Sequence, residues 1–222
     1  RSEKENERQR IIVLFIPIKA FPCGRLFYFP HFFLIFLYRM SNASKILLTS
    51  TKLTLILQRL ACQLVENHPG CENTVLIGLQ PRGIHLLDRL VAILKEEYAL
   101  ETIESGYLDT TFFRDDFRRT QKILAASPTD LNVQIEGKSV VLIDDVLFTG
   151  RSIRAALTAI DSYGRPSNIE LLTLIDRRFS RHLPIQPDYL GAQIDALEGD
   201  KVRVKWGDRP ADSMVYLENK DA

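Results

Sequence analysis

Val140-Val141-Leu142-Ile143-Asp144-Asp145-Val146-Leu147-Phe148-Thr149-Gly150-Arg151-Ser152 reads as a buried strand that ends on two acids and turns into a helix. Four consecutive apolar residues are the pattern of a strand covered on both faces. Ile153, Ala156, Leu157 and Ile160 follow at helical spacing and are expected to face inward. In open α/β sheets ligands sit beyond the carboxyl ends of the strands. The N–H groups at a helix start, together with the helix dipole, make an anion site. Gly150 lets the backbone approach closely, and the hydroxyls of Thr149 and Ser152 donate to phosphate oxygens. Carboxylates immediately upstream repel a phosphate, so they face another part of the ligand, either a sugar diol or a Mg²⁺ ion. The ligand implied is a phosphorylated sugar, with its phosphate on the helix and its diol on Asp144 and Asp145.

The flanking pattern predicts an α/β domain. Leu53, Ile56, Leu57, Leu60, Ala61 and Leu64 form one apolar helical stripe, with Ser50 or Thr51 to cap its start and Asn67-His68-Pro69-Gly70 to end it. Thr74–Leu79 reads as a buried strand, Gln80-Pro81-Arg82-Gly83 breaks it, and Ile84, Leu87, Leu90, Val91 and Leu94 mark a second helix. Gly106–Phe112, Ser139–Ile143 and Ile169–Ile175 read as further strands, and Thr149–Tyr163 as a loop leading into a helix. Strands alternating with helices indicate a mainly parallel sheet covered on both faces. Asp188–Ile194, Val202–Trp206 and Ser213–Leu217 are expected to form small antiparallel strands, a hood or edge. Residues 113–137 are charged and weakly periodic, the character of a functional or disordered connection.

The net charge of +1 over 222 residues excludes a polycation built to coat nucleic acid, though not a local basic patch. Cys23, Cys62 and Cys71 form no C-x-x-C pair or zinc spacing, and are read as free thiols in a reducing, cytoplasmic setting. The first 39 residues are different in kind: seven of the twelve Phe residues fall there, with a local charge of +4. Their apolar runs, Ile11–Ile18 and Leu26–Tyr38, are shorter than the roughly 20 residues of a membrane-spanning helix. No small-residue cleavage site follows them, against a secretory signal. Residues 1–40 are therefore expected to be an apolar extension outside the fold, and 41–222 the functional domain.

The run from Val140 to Ser152 resembles the motif by which type I phosphoribosyltransferases bind 5-phosphoribosyl-1-pyrophosphate (PRPP). That motif pairs two acids with a T-G-x-[ST] phosphate loop. Further segments resemble the PyrR family: Gly78-Leu79-Gln80-Pro81-Arg82-Gly83-Ile84, Asp109–Asp116, Gly164-Arg165-Pro166, and Ile175-Asp176-Arg177 with Leu183-Pro184-Ile185. The resemblance covers about Thr51 to Ile194. It implies the type I phosphoribosyltransferase fold, a parallel twisted sheet with a small hood. It also implies transfer of phosphoribosyl from PRPP to uracil, giving UMP and pyrophosphate, with Mg²⁺ carried by the pyrophosphate and Asp144 or Asp145 as further ligands.

By the same resemblance Asp144 and Asp145 steady the ribosyl cation and Arg82 the leaving group. Val146, Leu147, Phe148, Thr149, Gly150, Arg151 and Ser152 hold the 5-phosphate and ribose. Gln80, Pro81, Arg82 and Gly83 form the pyrophosphate loop. Arg114, Asp115 and Asp116 belong to a mobile lid, and Ile175, Asp176 and Arg177 to the uracil hood. Arg178 stands where Gly is usual. A homodimer or higher homo-oligomer with no membrane attachment is implied.

Two function classes stand open. One is the enzyme. The other is a UMP-sensing regulator that binds pyrimidine-operon leader RNA with little or no catalysis. Arg59 is the candidate RNA contact, and Arg154, Arg165, Arg177, Arg178 and Arg181 are candidates for a basic face. Cys62, Gln58, Gln186 and Ala192 depart from the residues usual in the regulators. Gly137-Lys138-Ser139 imitates a P-loop fragment, but it precedes a strand rather than a helix and is rejected.

Overall fold

The computed structural model describes residues 45–114, 129–196, 199–209 and 212–218. The expected N-terminal extension lies outside these, as do Asp115, Asp116 and most of the predicted lid. The elements, in order, are β1 (Lys45–Leu48), α1 (Ser50–Asn67), β2 (Thr74–Leu79), α2 (Gly83–Tyr98), β3 (Glu104–Leu108) and β4 (Ser139–Leu147). They continue with α3 (Arg151–Ile160), β5 (Asn168–Arg178), β6 (Tyr189–Asp195), β7 (Lys201–Lys205) and β8 (Met214–Glu218). Five strands form one sheet in the order β3-β2-β4-β5-β6, and every neighbouring pair is parallel. β1, β8 and β7 form a separate antiparallel sheet.

The apolar stripes behave as their spacing requires. Leu53, Leu57, Leu60, Ala61 and Leu64 of α1, with Leu86, Leu87, Leu90 and Leu94 of α2, pack against Val141, Ile143, Leu172 and Leu174 on one face of the large sheet. Ile153, Ala156, Ala159 and Ile160 of α3 cover Val140, Leu142 and Leu171 on the other. Truncating one of these buried leucines to alanine costs about 2–5 kcal/mol. Val202, Val204 and Val215 of the small sheet join the α1/α2 core, so the hood is continuous with it.

Several expectations need correction. Thr49, not Ser50 or Thr51, is the N-cap residue of α1, and it makes no side-chain capping bond. Leu157 is exposed, because the buried arc of α3 is rotated toward Ala155 and Ala159. β3 spans Glu104–Leu108 rather than Gly106–Phe112. The Asp109 carboxylate accepts from Thr111 N (2.8 Å) and Thr111 Oγ1 (2.6 Å), which folds the chain into a turn and ends the strand. β4 runs four residues past Ile143 because the long β5 offers partners as far as Asp176. β6 is not an antiparallel hood strand but the parallel edge of the main sheet. Only residues 179–188 connect it to β5, fewer than the dozen or more a parallel crossover usually takes. The hood instead recruits β1, which sequence patterning had not suggested.

Candidate active site

The carboxyl ends of β2, β4 and β5 converge, and each delivers one part of a cleft. β2 ends at Leu79, where Gln80 N donates to Leu108 O (3.0 Å) and a cis peptide joins Gln80 to Pro81. Arg82 then caps α2, and Gly83 packs directly on the β4 backbone. β4 delivers Asp144 and Asp145. The Asp144 carboxylate accepts from the Asp145 amide at 2.9 Å, and Asp145 is only 4% exposed.

Burial raises the Asp144 carboxyl well above the usual carboxylate range, and the neighbouring Asp145 charge pushes it the same way. Burial also raises Asp145, with the Arg82 guanidinium the largest opposing influence. Two carboxyls so placed resist carrying two negative charges until a cation or hydrogen-bond donors arrive.

Beyond the acids, Gly150 caps α3 with φ +87°, a left-handed conformation that glycine adopts without strain. A side chain there would also meet Ile185 and Leu183. Around this loop lies a cavity of about 270 Å³, lined by Arg114, Asp144 and the residues from Val146 to Ile153. It is contiguous with a cleft of about 440 Å³ lined by Leu79–Arg82, Arg114, Asp144, Asp145, Val146, Phe148, Ser152, Arg177 and Lys201–Arg203. The two share Arg114, Asp144, Val146, Phe148 and Ser152. Together they form a trough with a helix start at one end, two acids in the middle and Arg82 at the other.

The structure thus brings the predicted phosphate loop, acid pair, pyrophosphate loop and Arg114 to one place. Arg177 joins them, 6% exposed, with its guanidinium 4.0 Å from the centroid of the Phe148 ring. Desolvation lowers its pKa, opposed by Asp200. Ile175 is fully buried in the core, and Asp176 pairs with Arg181 rather than facing the cleft alone. Arg178, exposed, pairs with Asp195 (2.6 Å), and the residue after it, Phe179, takes φ +66°.

Arg59 donates to the carbonyl oxygens of Leu190 (2.9 Å) and Gly191, tying α1 to β6. Lys138 of the rejected P-loop fragment pairs with Glu104 (2.6 Å). Lys201 and Arg203 line the cleft but were not among the expected site residues. The alternation Lys201-Val202-Arg203-Val204-Lys205 puts the cations on one face. Val202 and Val204 turn into the core, and only that tertiary packing brings the strand to the cleft.

Among the described residues, no three His, Cys, Asp or Glu side chains converge as a metal site. The acid pair alone suits Mg²⁺, which takes one or two carboxylates when substrate phosphates supply its other oxygen ligands. No helix among the described residues is long and apolar enough to cross a membrane. Cys62 and Cys71 are free.

Comparison with known proteins bears on this geometry. The family description "Phosphoribosyl transferase domain" matches residues 44–205. The chain is 37% identical over 162 residues to the Bifunctional protein PyrR of Desulfosudis oleivorans, covering 73% of this chain and 89% of that protein. It is 40% identical over 161 residues to the Bifunctional protein PyrR of Geobacter sulfurreducens, covering 72% and 90%. Among solved structures, the hypoxanthine phosphoribosyltransferase of Staphylococcus aureus superposes with a TM-score of 0.57 at 21% identity, covering 80% of this chain and 93% of that one. The hypoxanthine phosphoribosyltransferase of Trypanosoma cruzi gives 0.58 at 18% identity, covering 80% and 98%. At such identities these likenesses speak to the fold.

Proposed function

Because the chain belongs to the phosphoribosyl transferase domain family and, within it, to the PyrR family, we propose that it transfers the 5-phosphoribosyl group of PRPP to uracil, giving UMP and pyrophosphate. The observation that carries this reading is the continuous trough from the α3 loop past Asp144 and Asp145 to Arg82. Its three chemistries match the three parts of PRPP in order. Amide groups at a helix start suit a 5-phosphate, paired carboxylates suit a ribose diol, and a guanidinium suits a diphosphate.

In this reading the N1–C1 bond to uracil forms as the C1–O bond to pyrophosphate breaks, the N1 proton passes to the departing pyrophosphate or to water, and positive charge gathers on the ribose ring in between. Asp144 and Asp145 are the groups proposed to stabilise that charge, in a site whose burial strengthens the interaction. Arg82 takes up charge on the departing pyrophosphate. Bound Mg²⁺ would neutralise phosphate oxygens of the substrate. Arg114, which lines both cavities, begins the segment proposed to cover the reacting groups and exclude water. No side-chain nucleophile is required. The functional domain in this reading is residues 41–222, acting as a homo-oligomer in the cytoplasm.

Incubating the protein with uracil, PRPP and Mg²⁺ is expected to yield UMP. Absence of turnover, together with binding of a pyrimidine-operon leader RNA that weakens steeply with salt, would favour the regulator instead. That second reading draws on the name "bifunctional" carried by the relatives.

A further inference from the structure

A loop that binds phosphate through its amides must turn its carbonyls elsewhere and satisfy them there. In a trans peptide the C=O and N–H point in opposite directions, so fixing one fixes the other. Two consecutive peptides of the phosphate loop are fixed in this way from behind. Arg181 Nη1 donates to Phe148 O at 2.7 Å, and His182 N donates to Thr149 O at 3.1 Å. The N–H groups of Thr149 and Gly150 therefore point away from the 181–182 segment, and neither has an acceptor among the described residues.

The Arg181 guanidinium is itself held. Its Nη2 is paired with the Asp176 carboxylate, whose side chain is 8% exposed. Asp176 is paired in register with Leu147 on β4 and also accepts from Gln193 Nε2 on β6 (3.4 Å). A buried carboxylate on the neighbouring strand thus fixes a planar cation, and the cation's second arm fixes a carbonyl of the loop. Lysine offers a single ammonium in place of that two-armed fork.

We propose that Arg181 is a positioning residue: held by Asp176, it turns the Phe148–Thr149 peptide so that the loop amides face the 5-phosphate. This rests on the reading of the α3 loop as the 5-phosphate site. Arg181 touches no reacting atom. It acts through the loop, at the opposite end of the trough from Arg82.

The test compares two probes on the 222-residue chain by calorimetry, ribose 5-phosphate for the α3 loop and inorganic pyrophosphate for the Arg82 loop. Arg181→Gln is expected to weaken ribose 5-phosphate about tenfold or more, the scale of one charge-assisted hydrogen bond, with pyrophosphate affinity unchanged. In turnover, the KM for PRPP should rise while the KM for uracil stays put. Arg181→Lys, which keeps the charge and is the safer variant to fold, should fall between the two. Equal ribose 5-phosphate affinity in wild type and both variants would overturn the proposal. So would equal loss for both probes, which marks a general structural defect. A wild type that binds pyrophosphate but not ribose 5-phosphate would sink the assignment of the α3 loop itself, and the role of Arg181 with it.

Discussion

Gly83 lies so close to the carbonyl oxygen of Ile143 that a β-carbon at residue 83 would stand 2.3 Å from it. The Gln80–Gly83 loop is thereby seated on the strand that carries the acids. Gly83→Ala forces backbone apart at the residue before Asp144. The expected result is a fall in kcat/KM of at least about tenfold, since small displacements of positioned groups are costly, along with a lower Tm. A variant with wild-type kinetics would show that the two loops need not be in register.

Asp144→Asn separates stability from function. A carboxyl whose pKa is raised on folding destabilises the native state as pH climbs past its unfolded value of about 4, because the unfolded chain releases the proton first. Asparagine carries no such penalty. The variant should melt above wild type at pH 7, with the gain vanishing below about pH 4, while product formation falls by about 10²-fold or more. Thermal melts across pH, alongside turnover, check both halves.

Arg82→Met should act twice. Loss of the guanidinium is expected to weaken pyrophosphate binding about 10- to 100-fold. It also removes a charge that holds the pKa values of Asp144 and Asp145 down. If the ionised pair is the active form, the acid limb of the pH profile of kcat/KM moves to higher pH. An unmoved limb would show that the pair does not govern it.

At the opposite end of the sheet, His68 Nε2 meets Glu170 (2.8 Å) and the Tyr189 hydroxyl (3.1 Å), and its Nδ1 meets Thr74 Oγ1 (3.0 Å). Tyr189 in turn donates to Glu170 at 2.7 Å, its pKa pushed up by burial and by that bond, so it stays a donor. The cluster ties the ends of α1, β2, β5 and β6 together. His68→Ala should cost roughly 1–3 kcal/mol of stability in denaturant titration and leave kcat and KM at wild-type values.

A polypeptide from Met40 to Ala222 is expected to be soluble and as active as the full chain. Loss of activity on removing residues 1–39 would assign them a part in the fold.

The fold's centre was legible because its signals are local. The buried run before Asp144, the Thr-Gly-x-Ser turn and the leucine stripes of α1 and α2 each need only a few adjacent residues to be read. The same holds for the acid pair and Arg82, which sit at strand ends that the patterning located. What escaped depends on distant pairing. β1 is four residues long and becomes a strand by meeting β8 from the far end of the domain. β6 reads as a small antiparallel strand because the apolar pattern shortens after Asp176, and only its pairing with β5 shows it to be parallel. Arg181 sits among several arginines of like sequence character, and its grip on Phe148 O exists only because Asp176 lies within reach.

β8 is the middle strand of the hood, with Leu217 paired to Lys45 on one side and Val202 on the other. The small sheet thus depends on pairing between segments far apart in the chain, a contact whose loop-closure entropy is met before it stabilises anything. Closure of the small sheet is therefore expected to lag the packing of α3 on β4, whose residues are near neighbours in the chain.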